Sequence, residues 1–230
     1  MKLSRFAHNT SFTDLPTDVI EDSKSRLLDV VGVSLAACSH EVTMNLIEEL
    51  TATSERSGQS TIIGYTEPVA ASTAALLNGI MAHSEDYDDT HTESLTHPSA
   101  AVVPAALAVA EDVAATGPEL IRAIAIGLEG TIRVALATHG ALHAKGFHST
   151  AIAAPFGACL AASVLLGLDE ARTVHAFGIA GSMASGLFEF LAEGATVKTM
   201  HPGWGAHGGI TAARLARAGM TGPKRILEGR

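Results

Sequence analysis

The sequence predicts an all-α fold, a multi-helix bundle with at most one or two short strands. Alanine supplies much of the 47% hydrophobic content, aromatic residues make up only 4% of the chain, and β-branched runs are few. This composition favours closely packed helices over sheets. Several segments also repeat apolar residues at the three- and four-residue spacing of a helix. Because no internal repeat, low-complexity tail or linker divides the chain, we expect residues 1–230 to form a single helical domain.

The N-terminal part is predicted to hold one long helix, a second helix and one short strand. Asp14 or Thr17 can cap the first helix, and Pro16 fits its first turn, where the missing N–H is harmless. The second helix covers 42–54, and residues 60–65 form the best short strand. The apolar positions that define the first helix are Val19, Ile20, Leu27, Leu28, Val31 and Leu35.

Small apolar residues dominate the later helices. Ser99 and Asp169 each precede an apolar segment and can cap a helix. Pro104 favours a kink, whereas Gly127 and Gly130 indicate the close approach of another helix. The predicted helices cover 69–83, 99–110, 120–137, 151–166, 170–180 and 210–218.

Charge and composition exclude several classes of function. Fifteen Lys and Arg against 24 Asp and Glu give 15 − 24 = −9, with a pI near 5.6. A surface that binds phosphates usually has a basic excess, so we expect no nucleic-acid partner. The longest apolar stretches are too short to span a membrane, and the N-terminus has no apolar stretch of signal-peptide length. We therefore expect a soluble, cytoplasmic protein without a membrane partner.

Three polar segments interrupt the helices, and the first begins at His83. Within residues 83–97 lie five acidic residues and three histidines, a set that can ligate Zn²⁺ or Fe²⁺. The spacing matches no HExxH, C₂H₂ or EF-hand motif. A solvated acidic loop whose histidines cap helices is the alternative, and we expect no metal ion here.

The second and third polar segments, 139–150 and 181–209, carry the remaining candidate residues. In the second, three histidines and Lys145 precede an apolar helix, whose N-terminus attracts anions. An ordinary polar connector is the alternative, but Lys145 is a candidate for substrate binding. The third is predicted to be a glycine-rich loop around Lys198 and His201, and its glycines form no dinucleotide or P-loop motif.

Together the three segments offer histidine, lysine and aspartate, a set suited to acid–base chemistry on an anionic substrate. Removing a proton next to a carboxylate needs a base close to the C–H bond. It also needs cations or hydrogen-bond donors that stabilise the charge developing on the carboxylate oxygens. Histidine and lysine can fill both roles. The two cysteines, Cys38 and Cys159, lie in apolar segments and are expected to pack.

Three long segments resemble the MmgE/PrpD family. They read NGIMAHSEDYDDTH followed by THPSAAVVPAALAVAE, then GFHSTAIAAPFGACLAASVLLGLD, and finally VKTMHPGWGAHGGITAARLARAGMTGP. The family includes 2-methylcitrate dehydratases, cis-aconitate decarboxylases and iminodisuccinate epimerases. The resemblance implies a mainly helical domain, a homodimer or higher homo-oligomer, and cofactor-free chemistry on small polycarboxylates. The GFH motif is closer to the decarboxylase and epimerase branch.

The resemblance also implies roles for individual residues. His97 and Lys198 are expected to transfer protons and stabilise carboxylates, and His148 to bind or protonate the substrate. An aspartate would orient His97 or Lys198 and adjust its pKa. The implied catalytic residues are His97, Lys198, His148 and Asp88, and the implied substrate-binding residues are Asp89 and His201.

The family pattern continues into a smaller α/β domain, which this sequence does not contain. Two interpretations therefore remain open. The chain is either a lyase or isomerase that abstracts a proton during dehydration, decarboxylation or epimerisation, or a non-catalytic, truncated or split module that assembles with a partner half. A metal-dependent lyase is a third, weaker alternative.

Overall fold

The computed structural model describes residues 2–52 and 58–229, and it confirms an all-α fold. Short 3₁₀ turns at Phe12–Asp14 and Thr196–Thr199 accompany the α-helices. The α-helices are α1 Lys2–Asn9, α2 Thr17–Ala37, α3 Glu41–Ala52, α4 Ala71–Ala82, α5 Ser99–Asp112, α6 Gly117–Leu136, α7 Ala141–Ala144, α8 Ser149–Leu165, α9 Glu170–Met183, α10 Phe190–Glu193 and α11 Met200–Arg217.

Helices α8 and α11 form the centre of the bundle. Helix α8 packs against α5, α6, α9 and α11, whereas α11 also contacts α4 and α5. Nearly every residue of α5 and α8 is buried, including Pro104 and Pro155 inside the helices. A helix buried on all sides has an apolar sequence without a polar stripe, which agrees with the alanine-rich segments.

Glycines set the distances between the central helices. A Cβ atom on Gly127 would lie 2.6 Å from Val102 Cγ1, and one on Gly130 would lie 2.6 Å from Leu160 Cδ1. The predicted close approach at these two positions is therefore confirmed. Gly203 in α11 is equally tight, because its Cβ would lie 2.3 Å from the Leu76 carbonyl oxygen of α4.

The predicted short strand at 60–65 is wrong. Within the described residues, only Ser60 of that segment forms a β-bridge, to Val69. The buried side chain of Asn78 accepts a hydrogen bond from the Ile63 amide and donates one to the Thr61 carbonyl, both at 2.9 Å. A helix side chain thus satisfies the backbone groups that a neighbouring strand would otherwise bind.

Several helix boundaries differ from the predictions. The segment 181–209 is not all loop, because α11 begins at Met200. The glycines of α11 allow neighbouring helices to pack closely against it. Helix α6 begins at Gly117, after a capping box in which the Thr116 amide donates to Glu119. Asp169 caps α9 as predicted, accepting a hydrogen bond from the Arg172 amide at 2.7 Å.

The predicted start of the first long helix is close to the observed one, but its capping differs. Helix α2 begins at Thr17 with Pro16 in the capping position, and Asp14 instead accepts a hydrogen bond from the Ser11 amide. The predicted end of the second helix at Ser54 lies outside the described residues. Helix α1 was not predicted. The carbonyl of Ala7 in its last turn and that of Thr10 just after it accept hydrogen bonds from Arg122, a contact distant in sequence.

In the described part of the chain, no single helix is long and apolar enough to cross a membrane. Helices α2 and α3 pass that test only as a pair, and they are bent by 96° relative to each other.

Candidate active site

The fold brings parts of the three polar segments together at one end of the bundle. The segment after α4 lies beside the start of α8, and the start of α11 lies beside both. The side chains that meet there are His83, Asp86, Asp88, His97, His148, Lys198 and His201. We call these residues the histidine group.

Asp88 links two histidines of the group. Its side chain is only 1% exposed, and both carboxylate oxygens lie 2.9 Å from His83 Nδ1. His97 Nδ1 lies 3.5 Å from Asp88 Oδ2, and the His97 backbone amide donates to Thr150 Oγ1 of α8 at 3.0 Å. Thr90 Oγ1 lies 3.4 Å from the same His97 nitrogen, so Thr90 and Asp88 together orient His97, while Thr150 ties the segment to α8.

The second pair in the group is His148 with His201. Their Nδ1 atoms lie 2.9 Å apart, so one nitrogen donates the hydrogen bond and the other accepts it. Both residues are buried, and the rings of Phe188 and Phe190 lie against His148. The accepting histidine must be neutral at Nδ1, which fixes its tautomer.

Burial and neighbouring positive charge disfavour protonation of this pair. Burial, followed by the charges of His201, His83, His97 and Lys198, lowers the pKa of His148 from 6.5 to about 3. Burial also lowers the pKa of His201. At neutral pH the free site therefore holds His148 as a neutral imidazole, ready to accept a proton or bind a carboxylate through an N–H.

Lys198 is the permanent cation of the group. Its Nζ donates a hydrogen bond to Asp86 Oδ1, and this bond lowers the pKa of Asp86. Asp86 is more exposed than Lys198, 58% against 25% of the side chain, and its backbone has a left-handed φ of 52°. The Asp86 carboxylate is therefore accessible to exchange with another carboxylate from solution.

The structure does not place Asp89 in the histidine group. Its carboxylate pairs with Arg26 of α2 and accepts a hydrogen bond from the Ser99 amide. Burial raises the pKa of Asp89, and the charge of Arg26 opposes that effect. Ser99 is thus the first residue of α5 rather than its cap, and Asp89 fixes the start of that helix two residues after His97.

Lys145 makes no direct contact with the group in the described part of the chain, and its role in substrate binding stays a prediction. It is exposed at the end of α7, and no side-chain hydrogen bond or ion pair connects it with the histidine group within residues 2–52 and 58–229. Two members of the group, His83 and Asp86, were not among the predicted site residues. The sequence marked these two residues only as members of an acidic segment. The turns that bring them into the group leave no pattern in hydropathy.

An all-α bundle with a half-buried group of histidines, aspartates and one lysine defines a class of protein suited to acid–base chemistry on anions. The model of the MmgE/PrpD N-terminal domain matches residues 1–230, and the chain belongs to the MmgE/PrpD family.

The curated relatives include cis-aconitate decarboxylases from fungi and mammals. The chain is 32% identical to the cis-aconitate decarboxylase of Aspergillus terreus, over 99% of this chain and 47% of that protein. It is 33% identical to the human cis-aconitate decarboxylase, over 96% and 46%. It is 31% identical to the cis-aconitate decarboxylase-like protein oryM of Aspergillus oryzae, over 94% and 46%. The chain thus spans about half the length of the curated relatives it matches.

Replacing His148 by glutamine is expected to make folding less sensitive to acid. At pH values between the lowered pKa near 3 and the ordinary value of 6.5, His148 binds a proton in the unfolded chain but not in the folded chain. Stability therefore falls as the pH drops through this range, by up to about 2 kcal/mol between pH 7 and pH 5 for one such histidine. Urea unfolding at both pH values should show a smaller loss in His148→Gln.

The matched control is His8→Gln, at an exposed position on α1. It should retain the full pH dependence of the unfolding free energy. Equal losses in His148→Gln and the wild-type chain would show that His148 does not titrate as its burial implies.

Proposed function

We propose that this chain supplies the acid–base half of a lyase that acts on a small polycarboxylate, with decarboxylation of a substrate resembling cis-aconitate as the favoured reaction. The observation that supports it best is the convergence of His97, His148, Lys198 and His201 from three separate segments. The GFH motif at His148 favours decarboxylation or epimerisation over dehydration, and the names of the relatives favour decarboxylation.

The proposed roles follow from charge and position. Lys198 binds a substrate carboxylate and stabilises the negative charge that develops during the reaction. His97, oriented by Asp88, carries the proton, whereas the neutral pair of His148 and His201 binds a second carboxylate through its one free N–H, at Nε2 of the histidine that accepts the hydrogen bond. Lys198 already supplies a cation, so the chemistry requires no metal ion.

In a decarboxylation, the bond between the substrate carbon and the departing CO₂ breaks. Its electron pair passes into the conjugated double bond and the carboxylate bound by Lys198. The imidazolium form of His97 then delivers a proton to carbon and becomes neutral. Solvent restores that proton, so the net change is one CO₂ lost and one proton gained by carbon.

A proton NMR time course in D₂O with EDTA tests this function. The untagged chain is incubated separately with cis-aconitate, citrate, 2-methylcitrate and iminodisuccinate. We expect deuterium to enter the product of cis-aconitate at carbon while the other compounds change more slowly. Equal rates with and without folded protein for all four compounds would contradict the proposed function.

Exposed apolar side chains favour assembly as a second candidate role. Tyr87 is 81% exposed and Leu191 is 70% exposed, and each lies close in sequence to the histidine group. Contiguous exposed apolar surface marks interfaces. We propose that the chain pairs with a second copy, as the family resemblance implies, and that Leu191 lies in the interface. Light scattering on the NMR sample should show a dimer, and Leu191→Glu should return it to a monomer.

A further inference from the structure

We propose that His83, Asp88 and His97 bind a divalent transition-metal ion of the zinc type, with Asp86 as the fourth ligand. Imidazole nitrogens and carboxylate oxygens are the donors that such ions accept in proteins. The proposed ion is an inhibitor of the site rather than a cofactor of its reaction.

The distances between the donor atoms fit such an ion. One ligand atom from each of the four residues lies within 4.8 Å of all the others. Asp88 Oδ2 lies 2.9 Å from His83 Nδ1 and 3.5 Å from His97 Nδ1. Two ligands on a tetrahedral zinc ion lie about 3.3–3.6 Å apart, given bonds of about 2.0–2.2 Å. Binding would draw the widest pair of donors together by about 1.2 Å, and Asp86 would exchange Lys198 for the ion.

The local charge balance also favours a cation beside Asp88. Among the three neighbouring aspartates, Asp86 pairs with Lys198 and Asp89 pairs with Arg26. In the described chain Asp88 contacts only histidines, although its side chain is almost completely buried. A buried carboxylate without a permanent cation is costly, and either a protonated histidine or a metal ion removes that cost.

His83 is a buried imidazole that the proposed proton transfer does not use. Its side chain is fully buried, and its Nδ1 atom lies 2.9 Å from Asp88. Metal ligation through Nδ1 gives this imidazole a role, whereas its Nε2 atom, which has no hydrogen-bond partner among the described residues, is unpaired with or without the ion.

Binding of cobalt tests the site directly. Untagged protein is treated with EDTA, dialysed and titrated with Co²⁺, whose visible absorption is intense when four ligands surround it. We expect one Co²⁺ per chain and its displacement by Zn²⁺. His83→Ala and His97→Ala should each weaken binding by about 100-fold or more, since loss of an outer-shell partner alone costs 10–100-fold.

His8→Ala, on the exposed face of α1, is the matched control and should bind Co²⁺ like the wild-type chain. The partly exposed His97 keeps the test valid if His83→Ala fails to fold. Absence of the cobalt absorption, or equal binding by folded His97→Ala, would overturn the proposal and leave a protonated histidine as the partner of Asp88.

One consequence rests on the proposed function. The ion binds His97 Nδ1, the nitrogen next to Asp88. Zn²⁺ should therefore slow turnover of cis-aconitate, and EDTA should restore it. Because the cobalt titration needs no turnover, its failure and the failure of the proposed function can be distinguished.

Discussion

Lys198→Met and His97→Gln should each lower turnover of the polycarboxylate by about 100-fold or more, as expected for loss of a group that transfers a proton or stabilises developing charge. Methionine retains most of the length of lysine but has no charge, and glutamine retains a hydrogen-bonding group without the titration of histidine. Initial rates of cis-aconitate consumption, measured by NMR at saturating substrate, provide the comparison.

The two variants should differ in their kinetic signatures. Lys198→Met should raise KM as well as lower kcat, because the ammonium group binds the substrate before the reaction begins. His97→Gln should act mainly on kcat. Lys24→Met removes an exposed lysine of α2 and should leave both constants unchanged. Wild-type turnover in both site variants would rule out this assignment of roles.

Gly203→Ala is expected to lower the free energy of unfolding by about 3 kcal/mol, near the upper end of the usual cost of overpacking a core. A Cβ atom at this position would lie 2.3 Å from the Leu76 carbonyl oxygen and 3.0 Å from the Ile80 amide nitrogen. Both neighbours are backbone atoms of α4, so no side-chain rotation relieves the clash. Since α11 also carries His201, the same change should displace the histidine group.

Gly32→Ala provides a control with the opposite sign. Gly32 is exposed within α2, and a Cβ atom there would have no neighbour within 4 Å. Replacing glycine by alanine in such a helix position stabilises the fold by about 0.5–1 kcal/mol. Urea unfolding of both variants gives the comparison. A Gly203→Ala chain as stable as the wild type would show that α4 and α11 are not packed this closely.

The sequence predicted the helical class well because composition and spacing report local preferences. The cap at Asp169 and the close approach at Gly127 were read correctly, since each has a local signal. The glycines of α11 were misread as a loop: the sequence does not show that Gly203 faces α4 rather than solvent. The strand at 60–65 failed for a similar reason, because its hydrogen-bond partner is the side chain of Asn78.

The candidate site was predictable in part. Motif resemblance selected His97, His148, Lys198 and His201, and the structure brings them together. The resemblance did not distinguish Asp88, which contacts His97, from Asp89, which pairs with Arg26. That distinction depends on the turn between the two residues and on a helix far away in the sequence, and neither leaves a pattern in hydropathy.

Protonation and metal binding are separate properties of the histidine group. The pH dependence of His148→Gln measures how strongly the fold suppresses protonation at the site. The cobalt titration measures whether the charge of Asp88 attracts a metal ion. Neither result depends on turnover, so both inform on the site even if the reaction requires a second chain.

The central claim is that His148, His201 and Lys198 form one binding site for a polycarboxylate, and imidazole NMR tests it most directly. Long-range ¹H–¹⁵N spectra of the labelled chain at pH 7 are recorded with and without tricarballylate, a tricarboxylate without a reactive double bond. We expect neutral His148 and His201 in the free chain, a change in the ¹⁵N shifts of at least one of them on binding, and loss of that change in Lys198→Met. Unchanged histidine signals at saturating tricarballylate would contradict the account.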